Sequence, residues 1–537
     1  MSDLDLGVVC PLTISTALRR STIIAPDVEA VVATDGRLTY DELNKEVALA
    51  RAALATAGVC KGDHVGLCLG NSTRWVVIFL AIGSLGAVTV PVNTRFVAAE
   101  LAYVLRQSRI TTLVTCDRFL KIDFIAKLRD ICPAIDHALP HKTLPDLRRV
   151  LVIGEDVPAA ARSWRDLCAA KLQPVAPCDD PDDVLLIQYT SGTTSFPKGV
   201  QLRHRNILPN AFFSGLRMGL RAGDRFHSAR PFFHVAGTTL SILSCLQHAV
   251  TLISMDRFEP GEALRLMEAE RCTHFSGNDT MALMLLTHPD LASSCLNLRG
   301  AWLAASPTIV RRVIDELGAR ECVVGYGLSE ASPNVAQSCW WEAEDIRASA
   351  AMRVQTGVDV RIRTEGDRDA GVDETGEIQV RGWNVMTGYF DKPDETAAAL
   401  SASGWLSTGD LGALDASGRL RFMGRAKDIV RVGGENVSPA DVENVLHQNR
   451  LIRQAAVVGV PDERLVEVTA AFVILNEGCV ATPADIIDWS KCEMAGFKVP
   501  RHVWIVDDFE VIGMTASSKI QKKQLAAHAR KLAGIEG

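Results

Sequence analysis

Short apolar runs alternate with helix-like stretches over the first 330 residues, and this alternation confines the chain to layered α/β architectures. The runs occupy residues 64–69, 111–115, 150–153, 250–253 and 322–324. Between the sequence start and the first run, Thr39 and Glu42 form a capping box ahead of Leu43, Val47 and Leu54, and Gly58 supplies the stop. Residues 75–92 are largely apolar, but Gly83, Ser84, Gly86 and Pro91 interrupt them. That pattern fits a buried helix followed by a buried strand better than a membrane span. The stretch 133–181 is rich in proline and charge and reads as a surface excursion. From Val358 to Arg381 the pattern changes to short alternating strands separated by Gly366, Gly371 and Gly376, which predicts a small β subdomain. Residues 418–424 read as a hairpin end and then a boundary, and Ser438-Pro439 is expected to cap a new helix.

A chain of 537 residues exceeds one hydrophobic core. We expect a large multi-subdomain α/β domain over 1–424, including the β subdomain, and a small α+β domain over 425–537. The net charge of −7 argues against a nucleic-acid surface. The 14 cysteines are scattered with no C-x-x-C pair, which favours reduced thiols over a disulfide frame or a zinc site. The first residues lack a basic region before an apolar run, so no secretory signal is expected and a cytoplasmic location is. No stable membrane insertion is expected either.

The densest chemistry follows the apolar run 184–189. From Thr190 to Gly199 come five hydroxyl side chains (Thr190, Ser191, Thr193, Thr194, Ser195), two glycines including Gly192, and Lys198. Small residues let backbone N–H groups approach a polyphosphate, and hydroxyls with an ammonium complete a cradle. A glycine follows Lys198 where the familiar P-loop has a hydroxyl, so this is a different phosphate loop. With helix-like residues from Asn206, the loop is expected to join a strand to a helix.

This loop resembles that of the adenylate-forming enzymes, in particular their acyl-CoA synthetase branch, and further motifs extend the resemblance over nearly the whole chain. Residues 93–95 and 98–103 look like the family's early strand and helix. Pro231-Phe-Phe-His234-Val-Ala236-Gly237 resembles the acid-pocket segment, which implies His234 near the substrate carboxylate. Gly325-Tyr326-Gly327-Leu328-Ser329-Glu330 resembles the motif whose tyrosine stacks on adenine, whose hydroxyl meets phosphate and whose glutamate binds magnesium. By the same resemblance Thr193 is a second magnesium contact, and Ala304-Ala305-Ser306 lies against adenine and acid. Asp410 is implied on the ribose with Arg425, and Lys427 as the hinge about which the C-terminal domain moves. Gly433-Gly434 resembles the wall of the pantetheine tunnel. Phe497 and Arg501 resemble a site for the CoA nucleotide, and Lys519 the lysine that contacts carboxylate and α-phosphate during adenylation.

The resemblance therefore implies an AMP-forming acid–thiol ligase using ATP or an acyl-adenylate, Mg2+ and coenzyme A. Ala304 and Ala305 stand where the family has two glycines, which reshapes the acid pocket, and three further positions depart from the pattern. Ser195 replaces a glycine of the phosphate loop, Gly513 replaces a proline, and Ser518 replaces the glycine before Lys519. A serine forced into positive φ costs roughly 1–2 kcal/mol, or about 5- to 30-fold in rate per site if felt only in the transition state. We therefore expect adenylation to be impaired, with thioester formation from a ready-made adenylate, supplied by a separate adenylating enzyme, preserved. The alternatives are a fully competent fatty or aromatic acid–CoA ligase and, from another class, an inactive adenylate-binding protein. Retention of Lys198, Glu330 and Lys519 opposes the last. Ligation to a carrier protein is disfavoured because residues 520–537 hold no carrier domain, and the departures lend no support to luciferase-type oxidation. Ala236, Gly237, Gly277, Ala304 and Ala305 suggest room for a bulky hydrophobic acid, and no arginine or lysine in these segments suggests a second carboxylate on it. A homodimer is left open.

Overall fold

Six parallel strands form the middle of a thirteen-stranded sheet: Glu29–Ala33, Thr251–Ile253, Arg225–Ser228, His274–Asn278, Gly300–Ala304 and Val323–Gly327. This is a computed structural model, and it describes residues 5–190, 197–509, 512–514 and 520–535. The strands are apolar and buried on both faces, as parallel strands covered by helices must be. Past Val323–Gly327 the same sheet turns antiparallel, through Asn334–Gln337, Met352–Val354, Arg419–Arg425, Leu406–Leu414, Gly376–Gly382 and Val358–Arg363. The expected β subdomain is thus not a detached unit. It continues the main sheet, because Asn334–Gln337 pairs on both edges.

A second sheet of eight strands has a parallel core built from Val184–Thr190, Val88–Pro91, His64–Cys68, Thr112–Cys116 and Arg149–Ile153. Arg149–Ile153 lies within the stretch read as a surface excursion, and Ile135, Leu144, Leu147 and Leu167 beside it are buried too; the reading holds for residues 171–180, which lack regular structure. The helix Thr73–Ser84 is buried except at Arg74 and leads into Val88–Pro91, as the interrupted apolar run implied. Among the described residues no helix is long and apolar enough to cross a membrane. Thr39 and Glu42 form the expected capping box on Tyr40–Thr56.

One local expectation is overturned. Val184–Thr190 does not lead into a helix; it pairs antiparallel with Lys198–Arg203, with Thr190 opposite Lys198. The hydroxyl-rich loop therefore closes a β-hairpin, and the helix His204–Met218 starts only after the return strand. Backbone pairing, not a helix N-terminus, holds Lys198 in place.

A third sheet (Val430–Val432, Glu435–Val437, Ile452–Asp462, Val466–Leu475 and His502–Ile505) carries its own apolar clusters on both faces. The architecture is a mixed α/β chain with a large N-terminal and a small C-terminal domain. Ser438 precedes the helix Pro439–Leu446 without a side-chain cap; its hydroxyl instead donates to the Met423 carbonyl at 2.5 Å, reaching back to the sheet that the chain has just left.

The return from Glu330 into the antiparallel half is clamped by Asn210. Its Nδ2 donates to the Asn334 carbonyl (2.8 Å), and its Oδ1 accepts the Asn334 N–H (3.1 Å). Both residues are buried. Asn210→Leu orphans the Asn334 N–H, worth about 1–3 kcal/mol, and leaves its carbonyl only a long bond from Asn384 Nδ2 (3.5 Å). Thermal unfolding of this variant is expected several degrees below the parent; an unchanged midpoint would show that the clamp does not hold the segment.

Candidate active site

The tyrosine strand Val323–Gly327 ends where the parallel sheet opens. Gly327 is a glycine by contact: an added Cβ would meet the Pro333 carbonyl oxygen at 1.9 Å. Tyr326 is buried, and its hydroxyl donates to Asp410 Oδ2 at 2.9 Å. Asp410 and Arg425 are cross-strand partners in the hairpin of Leu406–Leu414 and Arg419–Arg425, and the guanidinium Nε lies 3.5 Å from Asp410 Oδ1. Burial pushes the Asp410 carboxyl above its ordinary pKa, and Arg425 opposes that shift. Phe422 stacks on Tyr326 with ring centroids 5.1 Å apart. Three residues expected on one nucleoside are thus brought together, and the sequence reading missed Phe422.

Lys198 and Glu330 also converge, through a residue no motif flagged. The short strand Gly388–Tyr389 pairs with Lys198–Arg203. It sets the Tyr389 ring 4.8 Å from Lys198 Nζ and its hydroxyl 2.9 Å from Glu330 Oε1. Tyr389 therefore bridges an ammonium and a carboxylate that meet through the pairing of distant strands. Among the described residues no cluster of three or more His, Cys, Asp or Glu side chains could cage a metal. A single carboxylate fits magnesium, which takes few protein ligands and completes its shell with water and substrate phosphates. Thr190 sits at the hairpin mouth and Ser329 half-buried beside Glu330. Ser191, Gly192, Thr193, Thr194 and Ser195 lie outside the described residues.

On the acid side, His234 N-caps a helical turn, and its Nδ1 accepts the Ala236 N–H at 3.2 Å. In the neutral ring this bond places the proton on Nε2, making that nitrogen a donor. Ala304 ends the strand Gly300–Ala304, Ala305 follows it, and Ser306 is the N-cap of the helix Pro307–Glu316. The two glycines do not open the pocket as expected. A Cβ on Gly237 would strike the Pro231 carbonyl oxygen (2.1 Å), and one on Gly277 the Phe275 ring (2.5 Å). Both are small because protein already fills the space.

Asp279, at the start of the helix Asp279–Leu286, was not singled out. Its carboxylate accepts the Ser306 N–H at 2.8 Å, fixing the turn after Ala305. It is half-buried, and desolvation raises its pKa to about 6; Glu443 adds to the shift, and the Ser306 N–H and Lys522 oppose it. Glu443 and Lys522 pair at 2.8 Å on the C-terminal domain. Two more contacts tie the domains here: Gln454 Nε2 to Thr280 Oγ1 (3.2 Å), and Thr308 N–H to Asn444 Oδ1 (3.3 Å). Lys427 is exposed in the short turn between the two sheets. Gly433 and Gly434 have φ of +57° and +97°, so both use backbone freedom that side chains lose. Phe497 and Arg501 are exposed on the C-terminal domain, far along the chain from the nucleoside residues. Gly513 has φ +135°, closed to proline, and a Cβ there would meet Gln524 Oε1 at 1.8 Å. This departure is built into the local backbone. Ser518 and Lys519 lie outside the described residues, though Met514 and Ile520 on either side are bridged.

These features define an adenylate-forming ligase, and the comparisons agree. The chain belongs to the AMP-binding enzyme family: that model matches residues 19–390, and the AMP-binding enzyme C-terminal domain model matches 441–519. It lies in the acyl-CoA ligase branch and is similar to a putative acyl-CoA synthetase, YngI, of Bacillus subtilis (34% identical, covering 96% of each chain). It is also similar to the 3-[(3aS,4S,7aS)-7a-methyl-1,5-dioxo-octahydro-1H-inden-4-yl]propanoyl:CoA ligase of Mycobacterium tuberculosis (37% identical, covering 96% of this chain and 98% of that protein). Among solved structures, ATP-bound MatB from Rhodopseudomonas palustris superposes with a TM-score of 0.82 at 26% identity, over 97% of this chain and 99% of that one. The protein is an AMP-forming acid–thiol ligase that acts through an acyl-adenylate.

Two outcomes follow from the site. Tyr389→Phe removes one hydrogen bond to a charged group, worth about 1.5–3 kcal/mol. The concentration of Mg2+ needed for half-maximal pyrophosphate exchange is expected to rise roughly 10-fold or more; an unchanged requirement would remove Tyr389 from the site. Asp279 carries a folded pKa of about 6 against an ordinary 3.8. Its favourable contribution is complete below the ordinary value and is lost as pH rises through about 6. Asp279→Asn should therefore flatten the fall in melting temperature between pH 4 and 7 (about 3 kcal/mol at most); an equally steep fall would contradict the assignment.

Proposed function

We infer that the protein makes the CoA thioester of a bulky, ring-containing hydrophobic acid, and that adenylation is its slower half-reaction. The observation that carries the ligase chemistry is the convergence of Tyr326, Asp410 and Arg425 on one side and Lys198, Tyr389 and Glu330 on the other. A nucleoside seated against the first group directs its phosphates towards the second. Magnesium, when bound at Glu330 with Thr193, screens phosphate charge. Lys198 adds a fixed cation, and Thr190 to Ser195 line the polyphosphate with hydroxyls and backbone N–H groups.

In the first step a carboxylate oxygen attacks the α-phosphorus and pyrophosphate leaves. The chain supplies position and charge, not covalent help. The Nε2 proton of His234 is placed to hold the acid's oxygen. Ala304, Ala305 and Ser306 line adenine and acid, Ala236 the acid alone, and Lys519 bridges carboxylate and α-phosphate. In the second step the domain over 425–537 swings about Lys427 and withdraws Lys519. The Gly433-Gly434 wall then admits the CoA thiol, whose nucleotide rests on Phe497 and Arg501. Sulfur attacks the acyl carbon and AMP leaves.

The size of the acid is supported by the three alanines and by similarity to ligases named for a bicyclic propanoyl group. The slowed adenylation rests on Ser195 and Ser518 alone, since Gly513 suits its own backbone. A fully competent ligase is the second reading, favoured by the Lys198–Tyr389–Glu330 bridge. If both serines occupy positive-φ sites, adenylation is slowed about 10²-fold. ATP–pyrophosphate exchange across a panel of acids should then be weak in the parent and rise about 10²-fold in Ser195→Gly/Ser518→Gly. Equal exchange in both would establish the competent ligase.

A further inference from the structure

Arg230 stands one residue ahead of the segment Pro231–Gly237, outside every motif, and it is 6% exposed. Its guanidinium reaches the second half of the strand His274–Asn278. Nε donates to Ser276 Oγ at 2.7 Å, and Nη2 donates to the Gly277 carbonyl. A guanidinium has five N–H bonds; these two are the hydrogen bonds it makes among the described residues, and Nη1 makes none. Among the described residues it forms no ion pair, and burial lowers its pKa to about 10. A buried cation with no counter-charge is costly.

A second observation points to the same place. The guanidinium lies over the Trp302 ring, 4.7 Å from its centroid. Trp302 is 4% exposed, and its Nε1–H has no acceptor among the described residues. Gly325 makes room for this indole, since a Cβ there would lie 2.6 Å from Trp302 Cζ2. Gly325 is the residue before Tyr326. The backbone around Arg230 is held by Asn71, whose Nδ2 donates to the Arg230 carbonyl (3.0 Å) and whose Oδ1 accepts the Phe232 N–H (2.8 Å). Arg230 lies just past the carboxyl end of the parallel strand Arg225–Ser228, the end at which such sheets bind ligands, and Trp302 lies mid-strand in Gly300–Ala304 beneath it.

We propose that Arg230, with Trp302 beneath it, is the specificity anchor of the acid pocket, and that the substrate acid carries a second oxygen acceptor, a ketone or a carboxylate, distal to the reacting carboxyl. The inference rests on the ligase reading and narrows it: the acid is ring-containing and oxygenated, not plainly hydrophobic. A site built around buried donors rejects an analogue that lacks the acceptor, because the donors are then left unpaired.

The test uses non-hydrolysable acyl-sulfamoyl adenosines, which bind whether or not adenylation is fast. The acyl groups are 3-cyclohexylpropanoyl, its 4-oxo counterpart and its 4-carboxy counterpart. In the parent, at least one oxygenated analogue is expected to bind roughly 10- to 100-fold tighter than the plain one. The gap between the oxo and carboxy analogues tells which acceptor the site takes. In Arg230→Met the ratio of oxygenated to plain should fall to about one. A parent that binds the plain analogue as tightly as both others overturns the proposal alone. A variant that weakens all three equally assigns Arg230 to structure and also overturns it. No binding of any analogue would defeat the ligase reading itself. If the variant does not fold, the ratio in the parent decides.

Discussion

The hydrogen bond from the Tyr326 hydroxyl to Asp410 joins the parallel and antiparallel halves of one sheet, and the arrangement of the site depends on it. Tyr326 ends the tyrosine strand of the parallel half. Asp410 sits in the antiparallel half, beside Arg425. Both side chains are buried, so breaking the bond would leave the Tyr326 hydroxyl without a partner, at about 1–3 kcal/mol, and Asp410 with Arg425 alone. The bond therefore registers the two halves against each other. From that register follow the placement of Phe422 on the tyrosine ring and of Glu330 beyond it.

The phosphate side is assembled differently. The hairpin from Val184 to Arg203 is extended by Gly388–Tyr389, and this third strand brings an aromatic ring between Lys198 and Glu330. The ring offers a face to the ammonium and a hydroxyl to the carboxylate, so opposite charges are held near each other without collapsing into a direct pair. At the domain junction, Asp279 meets the Glu443–Lys522 pair in a desolvated setting. The C-terminal domain thus touches the N-terminal one through groups whose energies respond to charge.

Much of this was legible in the sequence, for local reasons. Apolar runs marked the strands, Thr39 and Glu42 marked a helix start, and the motifs around Tyr326, Asp410 and Arg425 identified residues that the fold brings together. What the sequence hid was pairing between distant segments. Lys198–Arg203 is short and polar at its ends, so its strand character appears only against its two neighbours. Tyr389 sits in a two-residue strand with no periodicity to read. Gly237 and Gly277 looked like space, yet a glycine's neighbours are set by tertiary contact, and Pro231 and Phe275 occupy that space. Arg230 preceded a recognised segment and so was passed over; its significance is its burial without a counter-charge, which only the fold reveals. The phosphate-loop residues 191–196 and Lys519 lie outside the described residues, so their roles rest on resemblance.

The central claim is that this chain activates an acid as its adenylate before passing it to a thiol. Its most direct test follows oxygen. The acid is labelled with 18O in its carboxylate and turned over with ATP and CoA, and the AMP is analysed by mass spectrometry. Attack of the carboxylate on the α-phosphorus leaves one labelled oxygen in each AMP, and the account predicts that transfer. Thioester formed with label in orthophosphate, or with none in AMP, would contradict it.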